Sequence, residues 1–288
     1  MRRLLAIAAV VSVVGVVVGA LTFPTDALVR AALDRVPLPD QMQLAFSRAR
    51  LRPNGLRLDE VHIVRPGGQP ALDAEWLRLR PSLWGLWQDR TGRPWSIVAQ
   101  TCQGTIDVTI GADPRATPIK VALEHVELAT CLPYVLPQAD AYGRVDGTFD
   151  VEIGTGQASA STGALELRGA SWKPGGPLED AALRADAGTL TWRLANGRLE
   201  FTKIEASSND FQATGSGLLR LVNPIDDSVL DLRIAVTPGP TMPPLFRRYL
   251  DAIAGAAPTA QGTRTFWIRG QLRDPRIIAA GTLPPARP

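Results

Sequence analysis

Few residues in this chain of 288 could do covalent or metal chemistry, and their positions limit what it can do. Cys102 and Cys131 are its two cysteines. An exported chain sits where disulfides form and persist. A bridge here would close a loop of about 30 residues and stabilise the fold by roughly 3–4 kcal/mol in the chain-entropy model. Two separate buried thiols are the other reading, because spacing does not fix whether the Cα atoms come within bonding range. His62 and His125 are the two histidines. Each falls inside an alternating pattern and reads as a strand residue rather than a ligand.

The remaining motifs argue against a reactive site. No H-x-x-x-H, C-x-x-C or acidic calcium loop occurs, so no metal site is expected. "GTGQASASTG" (154–163) lacks both the phosphate loop and the third glycine of a dinucleotide loop, and reads as a flexible hairpin connection. "TGSGLL" has the wrong spacing for a nucleophile turn. Glu179-Asp180 and Asp226-Asp227 lie beside Gly or Pro and read as solvated loop charges, not a tuned acid/base pair. The expectation is a non-enzyme without cofactor, metal or catalytic residues.

Charge narrows the partners. The net charge is +3. Arginines thicken between Arg30 and Arg93, but Asp59, Glu60, Asp73 and Glu75 interleave with them. A nucleic-acid footprint would be a dense basic stripe with stacking aromatics, and none is visible.

The elements that would position these residues begin with an apolar run. No charge occurs from Leu4 to Phe23, and about 20 residues cross a hydrocarbon core of roughly 30 Å. A cleavable leader has a shorter apolar core and a small-x-small site. Bulky Leu21, Phe23 and then Pro24 favour a retained anchor, with cleavage after Ala20 as the alternative. Arg2 and Arg3 place the N-terminus in the cytoplasm and the bulk across the membrane. Gly15 and Gly19 form a G-x-x-x-G that would let two membrane helices approach, although small residues are common in such spans anyway. The expected layout is a tip and transmembrane anchor over 1–23, a periplasmic β domain over 24–283 with a sub-division near 145, and a disordered tail over 284–288.

After the run, "TDALVRAALDRVPLP" has helical spacing, with Thr25 as N-cap and Asp26 in the first turn. Period two then takes over. Ile106, Val108 and Ile110, or Leu230, Leu232, Ile234 and Val236, alternate with polar residues, as a half-solvated antiparallel sheet needs. Asn196-Gly197 predicts a tight hairpin over 189–202. Two strands change face midway: Leu56 and Leu58 give way to Val61 and Ile63, and Leu123 to Val126 and Leu128. A one-residue slip is what a β-bulge produces, though two short strands would read alike. "MPPLFRRYLDAIAG" (242–255) predicts a helix, and "PSLWGLW" (81–87) an aromatic turn. The expected fold is mainly β: a transmembrane helix, then a curved, bulged antiparallel sheet, folded over or a partial barrel, with a few short helices.

One long stretch carries a family likeness. "GTLTWRLANGRLEFTKIEASSNDFQATGSGLLRLVNPIDDSVLDLRI" (188–234), then "MPPLFRRYLDAIAG" and "FWIRGQLRDPRI" with Gly270, Leu272 and Pro275, resembles the N component of the type II (general) secretion pathway. "FPTDALVRAAL" and "LRPNGLRLDEVHIVRP" agree in layout. The same strand style is shared with AsmA-like envelope proteins. The resemblance implies a single-pass inner-membrane protein with a periplasmic β domain. It also implies a connecting or scaffolding role between the inner-membrane C component or platform and the outer-membrane secretin. It carries over no catalytic residues. The alternative is an AsmA-like groove that binds or transfers lipid, because a curved sheet with one apolar face can hold an acyl chain.

Overall fold

A computed structural model describes residues 26–27, 29–30, 42–52, 55–68, 70–81, 95–111, 117–135, 141–154, 157–172, 183–222, 227–254 and 262–279. The apolar run with Gly15 and Gly19, the aromatic turn beyond Pro81 and the C-terminal tail lie outside them. Among the described residues no helix is long and apolar enough to cross a membrane.

Most of the period-two runs in the sequence become strand. The strands are β1 (Gln43–Ala45), β2 (Arg48–Arg52), β3 (Gly55–Val64), β4 (Pro70–Pro81), β5 (Trp95–Thr101), β6 (Gly104–Ile110), β7 (Thr117–Glu127) and β8 (Ala141–Gly154). They continue as β9 (Gln157–Trp172), β10 (Leu183–Ala195), β11 (Arg198–Ser207), β12 (Phe211–Arg220), β13 (Val229–Pro238), β14 (Arg264–Gln271) and β15 (Asp274–Ala279). Two helices interrupt them, α1 (Leu128–Val135) and α2 (Pro244–Ala254). All the strands join one antiparallel sheet, each beside the next in the chain, with β1 and β2 sharing one side of β3. The sheet does not close: β1 and β2 form one edge and β15 the other.

Both predicted face changes are real, and both sit on a residue with positive φ. Glu60 has φ 52° and His125 φ 57°. At His125 the β7–β8 register slips between Leu123↔Gly147 and Val126↔Val145, so Glu124 and His125 oppose Asp146 alone. The Asp146 carboxylate accepts the freed His125 N–H at 2.7 Å, which satisfies the group the bulge leaves unpaired. A further slip lies on β11, between Phe201↔Gly217 and Ile204↔Gly215. "LEFTKIEA" carries the same signal, apolar at 199 and 201 and then at 204 and 206.

Two expectations need correction. Leu128 does not extend β7 but begins α1, held where the Glu127 N–H donates to the Cys102 carbonyl at 3.0 Å. The connection expected over "GTGQASASTG" is shorter than predicted: Gly154 ends β8 and Gln157 to Gly163 belong to β9, where paired neighbours override their small-residue composition, and residues 155–156 between them lie outside the described residues. The Asn196-Gly197 hairpin forms as predicted, with φ 52° and 69° at its two turn residues.

The core is two clusters at opposite ends of the sheet. Phe46, Ala49, Leu58, Val61 and Ala74 form one, with Val29, which is helical like residues 26, 27 and 30, packed against them. Val236, Met242, Phe246 and Phe266 form the other, where α2 docks.

Candidate functional site

Residues directly opposite one another in antiparallel strands share a face, so the register maps each face. One rung runs Leu58, Leu77, Ala99, Ile106, Leu123, Gly147, Leu165, Leu190, Ile204, Gly215, Ile234, Phe266 and Ala279. The rung beside it runs Leu56, Leu79, Ile97, Val108, Val121, Phe149, Gly163, Trp192, Phe201, Gly217, Leu232, Ile268 and Ile277. From β3 to β15 every position in both rungs is apolar or glycine. The bulge on β11 keeps Phe201 and Ile204 on this one face. Without the extra residue, one of the two would turn to the polar side.

This face is covered at its two ends and less so between them. Val29 packs on Leu58 and its neighbours at one end, and Phe246 of α2 packs with Phe266 at the other. Leu123, Leu165, Leu190, Val121, Phe149 and Trp192, on the central strands, are only half-buried. Phe149 and Trp192 meet with ring centroids 5.9 Å apart. Gly163 makes room for them: a Cβ there would overlap the Trp192 ring. The indole N–H donates to Ser161 Oγ at 3.3 Å, so its polar end is satisfied. Beside these rungs a hollow of about 240 Å³ opens along β7–β9, lined by Ile119, Val151 and Ser161 among others.

Cys102 and Cys131 are bridged, with Cα atoms 5.2 Å apart. The bond ties the β5–β6 turn to α1. A polar clamp holds the same helix from β4. Tyr134 donates its hydroxyl to Asp73 Oδ2 at 2.9 Å, and His62 Nδ1 lies 2.7 Å from Asp73 Oδ1. The His62 hydrogen bond, together with that from Tyr134, holds the Asp73 carboxyl below its ordinary range against a smaller opposing effect of burial. Burial, then Asp73, pushes the Tyr134 phenol up. Sequence patterning could not have found this trio, whose members lie up to 72 positions apart and meet only through β3, β4 and α1. His125 stays apart from it, beside Asp146. Among the described residues no three His, Cys, Asp or Glu side chains are grouped to hold a metal.

Compared with protein-family models, with curated proteins and with solved structures, the chain matches none.

Proposed function

We propose that this chain is a non-catalytic envelope protein whose sheet holds an extended acyl chain against its apolar face. The observation that carries this is the pair of apolar rungs crossing thirteen strands with no polar residue between β3 and β15. Monomeric proteins rarely leave so long an apolar stripe half-covered unless something binds it. At about 4.8 Å per strand the rungs run for roughly 55–60 Å, longer than one acyl chain. Strand twist and the bulges bend such a sheet, which would turn the apolar face inward as a folded-over trough. The run from Leu4 to Phe23 is then a single-pass anchor in a bacterial inner membrane, with the body in the periplasm.

The test is mass spectrometry of the purified full-length chain, with displacement of a fluorescent fatty acid as a second readout. Co-purifying lipid and saturable displacement are expected, and Leu190→Glu, at the centre of one rung, should abolish both. Absence of lipid together with no fatty-acid binding would overturn the reading.

A connecting role in type II secretion is the second reading. It is favoured by the open edge at β15, which among the described residues has no strand on its outer side and could accept one from a partner. Co-purification with a cognate secretin and C component tests it, and consistent failure with both refutes it.

A further inference from the structure

The polar face of the sheet sorts its charges in a way that composition hides. Arg50 stands opposite Arg57 across β2–β3, and Arg57 opposite Arg78 across β3–β4. Arg52 and Arg80 follow two residues along from Arg50 and Arg78, on the same face. With strands about 4.8 Å apart and alternate residues about 7 Å apart, the five side chains spring from a patch of roughly 10 by 7 Å. Trp76 shares that face, its ring centroid 5.1 Å from the Arg57 guanidinium and 5.4 Å from that of Arg78. Asp59 is the carboxylate that answers them among the described residues, 2.6 Å from Arg57 and 3.4 Å from Arg50. The Nε atoms of Arg78 and Arg80 are buried without a hydrogen-bond partner among the described residues. Burial, then repulsion from Arg80, Arg52 and Arg57, pulls the Arg78 guanidinium below its ordinary value. Unmet donors and like charges both cost stability, and an anion with several oxygens relieves both.

The patch also has a fixed place in the chain. Asp26 Oδ1 accepts the Ala49 N–H at 2.6 Å, and Arg30 Nη2 donates to the Phe46 carbonyl at 2.9 Å. These bonds dock the segment after the apolar run along the β2 edge of the sheet, with Val29 on the apolar face and the side chains of Arg48, Arg50 and Arg52 on the opposite one. The run ends at Phe23, three residues before Asp26, and three residues reach at most about 11 Å. On the anchor reading given above, β2 therefore sits close to the lipid headgroup layer.

We propose that the Arg50, Arg52, Arg57, Arg78 and Arg80 patch seats on phosphate groups of anionic lipids in the membrane that holds the N-terminal run. The planar guanidinium fork matches phosphate oxygens, and several such residues hold more firmly than one. The contact orients the body: with one face on the headgroups, the apolar rungs on the other face point away from the bilayer surface.

The experiment uses the full chain in nanodiscs of equimolar phosphatidylcholine and phosphatidylglycerol, released into the mass spectrometer to identify retained lipid. Phosphatidylglycerol should be retained preferentially. R52Q/R78Q/R80Q should lose the preference by about fivefold per arginine, and roughly 1 M salt should remove it. The salt titration needs no altered chain, so it holds even if the triple variant folds poorly. Leu190→Glu should keep the preference, because the charge patch and the apolar face are on opposite sides. Equal retention of the two lipids by the unaltered chain, or an unchanged preference in the triple variant, overturns the proposal. Displacement of the lipid by inorganic phosphate would mark a free-anion site and overturn it as well. The anchor is judged separately, by resistance of the chain to alkaline extraction from the discs. If extraction strips it, the anchor reading fails, and the lipid preference is then read by flotation on phosphatidylglycerol vesicles.

Discussion

Leu58 and Val61 lie three residues apart on one strand, yet both are buried in the same cluster, 1% and 0% exposed. In an uninterrupted strand an odd spacing puts two side chains on opposite faces. Glu60, at φ 52°, supplies the rotation that brings them together. The device lets a ten-residue strand keep its apolar residues inward on both sides of a bend.

Because a β-branched side chain tolerates that φ poorly, Glu60→Val should destabilise the fold by about 1–3 kcal/mol. Glu60→Gly, which accepts the conformation freely, should cost much less. Thermal melts followed by circular dichroism would compare them. Equal losses in the two variants would mean that the backbone conformation at this position is not what matters.

The Cys102–Cys131 bridge closes a loop with a sequence separation of 29 residues. Replacing both cysteines by serine should lower stability by about 3–4 kcal/mol if the bridge acts on the unfolded chain. Urea unfolding of the oxidised and variant proteins gives the difference directly. Hydrogen exchange should rise first in α1, which the bridge and the Tyr134–Asp73 bond hold to the sheet.

The clamp on α1 is sensitive to both extremes of pH. Asp73 has a depressed folded pKa, so its contribution is present above the unfolded value and is lost as pH falls through the folded one. Tyr134 has a raised folded pKa, so its contribution is complete below the unfolded value and is lost as pH climbs through the folded one. Exchange protection of α1 should therefore hold across neutral pH and fall in strong acid and in strong base. Asp73→Asn should abolish the acid limb. The Asp73 side chain is 44% exposed, so solvent screening keeps the effect small.

Gly163→Ala places a methyl group where the Trp192 ring lies. The ring must move, at about 1–3 kcal/mol, the usual cost of overpacking. A red-shifted emission from the displaced indole, with a lower melting temperature, is the expected signature. An unchanged spectrum and melt would show that the ring is not seated on this glycine.

Many of the alternating strands, the Asn196-Gly197 turn, the α2 helix, the face change at Glu60 and the bulge at His125 were legible in residue order, whereas β2, β5 and β15 were not. Each legible feature depends on interactions between neighbours in the chain: side chains alternate with period two along a strand, a positive φ favours Asn and Gly in a turn, and a slip in alternation marks an extra residue. By itself the sequence also determined that the two cysteines could pair and that no familiar reactive motif is present. Only tertiary structure decided the rest. Whether Leu123 stands beside Gly147 and Leu165 depends on register between strands, which residue order does not state. Arg57 and Arg78 are 21 positions apart with acids between them, so the composition reads as mixed, and pairing of β3 with β4 is what separates the arginines from most of those acids. Gln157 to Gly163 became strand because β8 and β10 bracket β9 with hydrogen-bonding edges, a cooperative effect that no local preference records. The sheet stays open because β1 and β2 at one edge never pair with β15 at the other, a choice made by the accumulated twist and register of the whole sheet.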